Sequence, residues 1–386
     1  MKNYKTGSGT AAGSRKRSAR TAVETSSPAS SGREARRDFL KTLGLGTLGL
    51  GFGVSIFDSL FTAGRAAETP ADEEGVRHLI SVGTVNFMGF QAKEITPNAD
   101  FYITSYSEKV PQIRAEDHRL RLEGLVEKPA LYALQDLEAL KDKKEFVTLE
   151  CIGNPVGGTA VGNAFWEGVT LKRIIDLARP APGIVKAALF AQDGYSDSIP
   201  FSLAVSGEVF LAWRMNGEPL PPAHGFPLRL IVPGIYGMKH VKWLSKIELV
   251  NYNFRGYWEK KGWSDEAVIP VKSQILQPMD GQAVPPGRYM IGGIAFAGRH
   301  GISRVQVSVD GGKSWAEAHV KPPLSQWAWS LWEYDWQPTT KGNISLLVRG
   351  IDRSGKVQES PSLLGKVWRS FPAGARGLHQ IQVSVR

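Results

Sequence analysis

The chain contains a single cysteine, which can form no intrachain disulfide and must be a core filler, a nucleophile or a ligand. It lies in Glu150-Cys151-Ile152-Gly153-Asn154-Pro155-Val156-Gly157-Gly158, after an apolar run from Phe146 and before a Gly/Pro-rich turn. A turn after a strand exposes side chains and backbone N–H groups, which suits a ligand or nucleophile better than a core filler. A nucleophilic site needs a histidine base that sequence cannot place. The seven His are scattered, with no pair at zinc spacing. A soft thiolate with few other protein ligands fits a metal brought in by an organic cofactor, to which the protein adds one sulfur.

A second cluster is basic. The segments His224-Gly225-Phe226-Pro227-Leu228-Arg229 and Gly234-Ile235-Tyr236-Gly237-Met238-Lys239-His240-Val241-Lys242 gather cations around Gly-rich turns. Cations beside free backbone N–H groups make a cradle for a phosphate or pyrophosphate, the alternative being a solvated basic loop.

The elements that must position these residues follow from periodicity. Arg119 to Val126 begins with the alternation of a half-buried strand, and Leu134 to Leu140 has helical spacing with Asp136 in its first turn. Phe146 to Cys151 reads as a strand ending at the thiol. Leu171 to Ala178 is helical and closed by Pro180 and Pro182, and Phe226 to Val232 and Lys242 to Val250 read as strands. This half is α+β with mixed sheets. After Pro270 the pattern changes to short strands at regular spacing: Met290 to Phe296, Val305 to Val309, Trp329 to Tyr334, Ile344 to Gly350 and Ile381 to Val385. With a hairpin signal at Asp310-Gly311, these make an immunoglobulin-like β-sandwich.

With 42% hydrophobic and 22% charged residues, the 386-residue chain is globular, and 42 Gly with 23 Pro favour many turns over long helical bundles. The net charge of +10 invites a nucleic-acid reading, but residues 1–67 carry eleven Lys/Arg against four Asp/Glu, leaving the body close to neutral. No nucleic-acid partner is expected. Residues 1–35 are too poor in large apolar side chains to fold alone. Arg36-Arg37-Asp38-Phe39-Leu40-Lys41, a Leu/Gly run to Phe61 and small residues at Ala63 to Ala67 then follow the charged, apolar, small order of a signal peptide. The Arg pair resembles the twin-arginine export signal. It implies passage through that machinery to the periplasm, with an uncleaved membrane anchor as the alternative, since the run reaches the roughly 20 residues a bilayer needs.

From Thr96 to Arg386 the sequence resembles the sulfite oxidase family of molybdopterin enzymes. Four blocks carry the likeness: Thr96 to Tyr102, Glu150 to Asn154, Asn216 to Gly234, and Tyr236 to Leu244. The C-terminal region, with Gly298 to Trp315, is similar to the family's dimerisation domain and implies a homodimer. The resemblance divides the chain into residues 1–67, a leader; 75–265, a mixed α/β molybdopterin-binding catalytic domain; and 272–386, the immunoglobulin-like domain. It implies that Cys151 gives its thiolate to a molybdenum whose other sulfurs come from one pterin dithiolene. Phe101, Tyr102, Ile103, Thr104, Ser105 and Tyr106 would line the cofactor. Asp193 falls where the family has a pterin-contacting carboxylate, and His224, Arg229, His240, Val241 and Lys242 fall on positions holding the pterin and its phosphate.

The departures concern substrate. Thr104 stands where sulfite oxidases place an Arg, no Arg follows Asn154, the family's active-site Tyr falls on Trp263, and Arg369 aligns with a substrate Arg only across a short insertion. Sulfite is a dianion, costly to bind in a dry pocket without paired cations. The expected activity is oxygen-atom transfer to or from a small sulfur compound, of the sulfite oxidase or sulfite dehydrogenase type. Reduction of a sulfoxide such as methionine sulfoxide is the rival, and a catalytically silent cofactor-binding protein the third reading. With neither a haem Cys-x-x-Cys-His motif nor a flavin fingerprint, electrons pass to or from a separate partner, a cytochrome c or a quinone-linked protein.

Overall fold

The computed structural model describes residues 85–87, 90–359 and 370–386; the expected leader and Arg369 lie outside them. The N-terminal half holds strands β1 (Val85–Phe87), β2 (Phe90–Ala92), β3 (Arg119–Gly124), β4 (Ala130–Ala133), β5 (Lys143–Glu150), β6 (Val161–Thr170), β7 (Lys186–Ala191), β8 (Ser196–Pro200), β9 (Phe210–Met215), β10 (Glu218–Pro219), β11 (Arg229–Ile231) and β12 (Leu244–Val250). One sheet runs β10-β9-β6-β5 with β11 on β9, and a second runs β4-β3-β12-β7-β8. The first sheet is antiparallel throughout, and only the second is mixed as expected, through the parallel pair of β3 and β12. Among the described residues the helices are few and short. The longest among the described residues, Leu171–Ala178, buries Leu171, Ile174, Ile175 and Ala178 as one stripe and ends at Arg179 in the left-handed region.

Two expected strands begin later than the apolar runs suggested. The run from Phe226 pairs only over β11, because Pro227 has no N–H for a ladder. The strand expected from Lys242 starts at Leu244, because Trp243 has a positive φ of 51° and the Lys242 side chain turns into a cavity.

The C-terminal half is a sandwich. A sheet of β13 (Lys272–Gln277), β15 (Tyr289–Phe296), β19 (Ser330–Trp336) and β18 (His319–Val320) faces one of β14 (Ala283–Val284), β21 (His379–Val385), β20 (Gly342–Asp352), β16 (Ile302–Ser308) and β17 (Ala316–Glu317). Alternating residues such as Val305, Val307, Leu346, Val348, Ile381 and Val383 meet Trp332 and Trp336 in its core. Asp310 organises the β16–β17 connection, accepting hydrogen bonds from the Lys313 and Ser314 amides.

Candidate active site

Cys151 sits directly beyond β5, whose last five residues are buried, so the strand fixes where the thiol emerges. Its N–H donates to the Ala160 carbonyl (3.0 Å) and its carbonyl accepts from Asn154 N–H (2.9 Å). Asn154 Nδ2 donates to Glu150 Oε1 (3.0 Å) and Asn154 Oδ1 accepts from Ala160 N–H (3.0 Å). The Gly/Pro loop is thereby closed into a compact turn with the sulfur facing a cavity of about 250 Å³.

One wall of that cavity is the segment after Thr96. Asn216, itself at a positive φ of 53°, donates through Nδ2 to the Thr96 carbonyl (2.9 Å) and to Asn98 Oδ1 (2.9 Å), and accepts from Phe165 N–H (2.9 Å). His224 Nε2 lies 3.3 Å from the Asn98 carbonyl, and the Phe101 ring packs edge-on to His224 and Trp166. Gly162 makes this possible, since a Cβ there would stand 2.7 Å from the Phe101 ring. Phe101, Tyr102, Thr104, Ser105 and Tyr106 line the cavity as expected, but Ile103 does not: it points outward, 60% exposed. Six consecutive residues of irregular backbone cannot all face one way.

The opposite wall is the basic cluster. Arg229 is buried; its guanidinium donates to the His224 (3.0 Å) and His240 (3.3 Å) carbonyls and lies 5.0 Å over the Trp166 ring, while Nε has no protein partner. Burial lowers it to about 10. Lys242 Nζ donates to Ser105 Oγ (2.7 Å) and the Ala223 carbonyl (3.0 Å), and burial with the nearby Arg229 charge pushes it down to about 7. His240 accepts from Val232 N–H at Nδ1 (3.2 Å) and faces the Ile235 carbonyl through Nε2 (3.1 Å), so the neutral Nε2–H tautomer fits. Burial first, then Arg229, pushes His240 to about 3 and His224 to about 4. Asp193 lines the same cavity, its Oδ1 accepting from Tyr195 N–H (3.0 Å), and Val241 lies between His240 and Lys242. The solvated-loop alternative therefore fails: these cations are inside.

The mouth is aromatic. Trp263 stands edge-on between Trp258 (6.2 Å) and Phe371 (5.3 Å), and Tyr257 links Trp258 (4.9 Å) to Tyr106 (4.5 Å). Sequence reasoning missed Tyr195, Met238 and Trp258 as lining residues. It also missed what holds Met238: the next residue, Lys239, is 1% exposed and binds Asp197 (2.7 Å), Glu259 (2.7 Å) and Asp265 (3.1 Å). Burial works against the Lys239 charge, but Asp197 and Glu259 outweigh it and its pKa is raised. The Tyr195 hydroxyl lies 2.7 Å from Asp197 Oδ2, joining this network to the cavity. The Asp193-Gly194 turn was the available signal for Tyr195; Lys239 had none.

Chemically, the cavity combines one thiol, the buried Arg229 and half-buried Lys242 lacking a full counter-charge, two neutral imidazoles and an aromatic entrance. Among the described residues no three His, Cys, Asp or Glu converge to hold a metal by themselves. The arrangement accepts an anionic, ring-bearing molecule and offers it one sulfur.

Residues 107–258 match the family model for the oxidoreductase molybdopterin binding domain, and residues 265–382 that for the Mo-co oxidoreductase dimerisation domain. The chain is 30% identical over 339 residues to the mitochondrial sulfite oxidase of Mus musculus, covering 75% of this chain and 62% of that one, so it spans under two thirds of that relative's length. It is 30% identical over 336 residues to the sulfite oxidase of Arabidopsis thaliana, covering 71% of this chain and 84% of the relative. Among solved structures it resembles the sulfane dehydrogenase SoxCD from Paracoccus pantotrophus, with a TM-score of 0.67 and 21% identity over 86% of this chain and 93% of that one. The last likeness bears on fold.

Proposed function

The chain belongs to the sulfite oxidase family of molybdopterin-dependent oxidoreductases, and on that premise we propose that it transfers an oxygen atom to or from a small sulfur compound at the Cys151 cavity. The observation that carries this is the convergence of the only thiol with Arg229 and Lys242 in one cavity.

The residues fit the family's cofactor. Arg229 Nε is buried without a partner, and Lys242 is held at about 7 beside it, so the site lacks an anion that a pterin phosphate would supply. Neutral His224 and His240 border that position without adding charge. Cys151 would give the protein's thiolate, and Phe101 and Tyr102 would flank the organic ring. When bound, the molybdenum supplies two-electron oxygen-atom exchange with a sulfur centre. Oxidation of sulfite with an oxygen from water releases two electrons and two protons, and the electrons leave to a separate carrier, a cytochrome c or a quinone-linked protein. Trp258 and Trp263 line the cavity with uncharged aromatic surface, which suits a neutral substrate and favours the second reading, reduction of a sulfoxide such as methionine sulfoxide. The Arg36-Arg37 leader supports export to the periplasm, cleaved or retained as an anchor, and residues 265–382 support a homodimer.

The test is molybdenum and pterin content of the folded protein, paired with a dye-linked assay on sulfite and, separately, on methionine sulfoxide. Near-stoichiometric metal with turnover of either is expected, and Cys151→Ser should keep the fold and lose turnover. Metal-free protein, or a fully active Cys151→Ser enzyme, sinks the proposal.

A further inference from the structure

The cysteine loop is tied to the second half of the molecule. Lys272, the first residue of β13 in the sandwich, places Nζ 2.5 Å from Glu150 Oε1. That same oxygen accepts from Asn154 Nδ2 (3.0 Å), and Asn154 in turn holds the Ala160 amide through Oδ1 (3.0 Å). Cys151 is hydrogen-bonded on its two backbone sides to these two residues, its N–H to the Ala160 carbonyl and its carbonyl to Asn154 N–H. A cation of one domain is therefore linked by a continuous chain of hydrogen bonds to the backbone on both sides of the thiol in the other.

Packing does only part of this work: Ile152 is buried in the core and Gly157 lies close against the His379 ring, but a gap remains beside Glu150. A cavity of about 50 Å³ lies against Glu150, Asn154, Gly157 and Lys272, leaving the loop without a close-packed floor on that side. Arg376, which lines the same cavity, pairs with Glu359 at 3.0 Å and so does not substitute for Lys272. The Lys272 ammonium is itself fixed over the Tyr236 ring at 5.1 Å. A metal-binding thiolate has to be held within roughly 0.5 Å of its working position, and the groups that hold such ligands govern the site nearly as strongly as the ligands.

We infer that Lys272 is a positioning residue for Cys151, acting from the β-sandwich through Glu150 and Asn154 to fix the loop that presents the thiolate. This rests on Cys151 being the metal's protein ligand, as proposed above.

The experiment compares the full chain with Lys272→Met and Lys272→Arg, using amide hydrogen exchange of cofactor-free protein and the electron paramagnetic resonance signature of molybdenum in loaded protein. Losing a charge-assisted bond should accelerate exchange in residues 151–160 by about tenfold, while β9 and β12 keep their protection. The resonance signature should shift in Lys272→Met and return in Lys272→Arg. Because lone Glu150 is costly to bury, the pair Glu150→Gln, Lys272→Met is the foldable counterpart and should show the same local acceleration. Unchanged exchange in 151–160, a rise spread evenly over all peptides, or faster exchange with an unaltered signature each overturns the inference. Exchange needs no cofactor, so protein that never carries molybdenum refutes the functional reading separately, and with it the positioning role, whatever the loop does.

Discussion

Lys242 gives the sharpest quantitative handle on the cavity. In cofactor-free protein its ammonium is held at about 7 by burial and by the Arg229 charge. A phosphate monoester in the cradle supplies the missing counter-charge and returns the group towards its ordinary value. Below pH 7 the free protein already carries the proton and binding is at its maximum. Above pH 7 the complex must recapture a proton that the free protein has lost, so affinity falls by about tenfold per pH unit until the bound pKa is reached. Between pH 7 and 9 the loss is up to about 100-fold, in line with the roughly 1.5–3 kcal/mol of a charge-assisted hydrogen bond.

The measurement is calorimetric titration of cofactor-free protein with a phosphate monoester, whose own second pKa of about 6 lies below the range, at fixed ionic strength. It is made in the Cys151→Ser background, which takes the thiol out of the cavity. His224 and His240, at about 4 and 3, stay neutral throughout and contribute no slope. Lys242→Met should bind with the parent's pH 9 affinity at every pH. A flat profile in the parent, or a slope that survives Lys242→Met, would refute the reasoning.

Three further outcomes follow from the geometry. Trp263→Ala removes the ring wedged between Trp258 and Phe371 and is expected to raise KM for the sulfur substrate by about two- to tenfold with kcat little changed, given the ~0.5–1.5 kcal/mol of an aromatic pair beyond its buried area; steady-state kinetics showing an unaltered KM would remove Trp263 from the substrate path. Lys239→Met strands Asp197 and Glu259 without their cation and should cost about 3–5 kcal/mol in urea unfolding, a loss below about 1 kcal/mol meaning that the network is not what braces Met238. On acidification the unfolded chain takes up protons near pH 6.5 that buried His240 refuses until about 3, so the stability His240 contributes should fall as pH drops through that window, by roughly 4 kcal/mol at its lower end; because Asp197, raised to about 7, works the opposite way, the measurement is the difference in unfolding free energy from His240→Gln, and a difference constant from pH 6.5 to 4 contradicts the buried neutral imidazole.

Much of this was readable along the chain. Leu171 to Ala178 carries its own stripe and its own stop, and the helix occupies those residues. Arg119 to Gly124 alternates because one face is buried, and it pairs as β3. The spacing puts Asp136 in a first helical turn, and there it accepts from the Ala133 amide at 2.7 Å. The basic cluster was legible as a cradle because Arg229 and Lys242 lie among turns in two nearby segments. What stayed hidden depends on contacts between distant segments. Lys239 sits in a Gly-containing turn like any solvated lysine, and its burial depends on Asp197, Glu259 and Asp265 arriving from three other places. The resemblance puts Ile103 on the cofactor with its neighbours, and irregular backbone offers no period from which to see that it faces outward. Lys272 opens β13, a strand not among those expected from the sequence, and nothing local says that its partner lies 122 positions earlier.

The cavity's electrostatics explain why its largely apolar walls are also stitched by polar groups. Two cations brought together out of water repel each other, and the depressed Lys242 records that cost. Without anchors, the segments carrying them would separate and hydrate. Arg229 is pinned by two carbonyls, Lys242 by Ser105 and a carbonyl, and the Thr96 segment that closes over them by Asn216. These bonds are made to backbone or to neutral groups, so they hold the cations without neutralising them. The unspent positive charge is left for an anion entering the cavity, and such a ligand stabilises the folded chain by an amount that grows with the logarithm of its concentration over its dissociation constant. The stability sacrificed to assemble this site is thus recovered on loading, which couples retention of the ligand to the integrity of the fold.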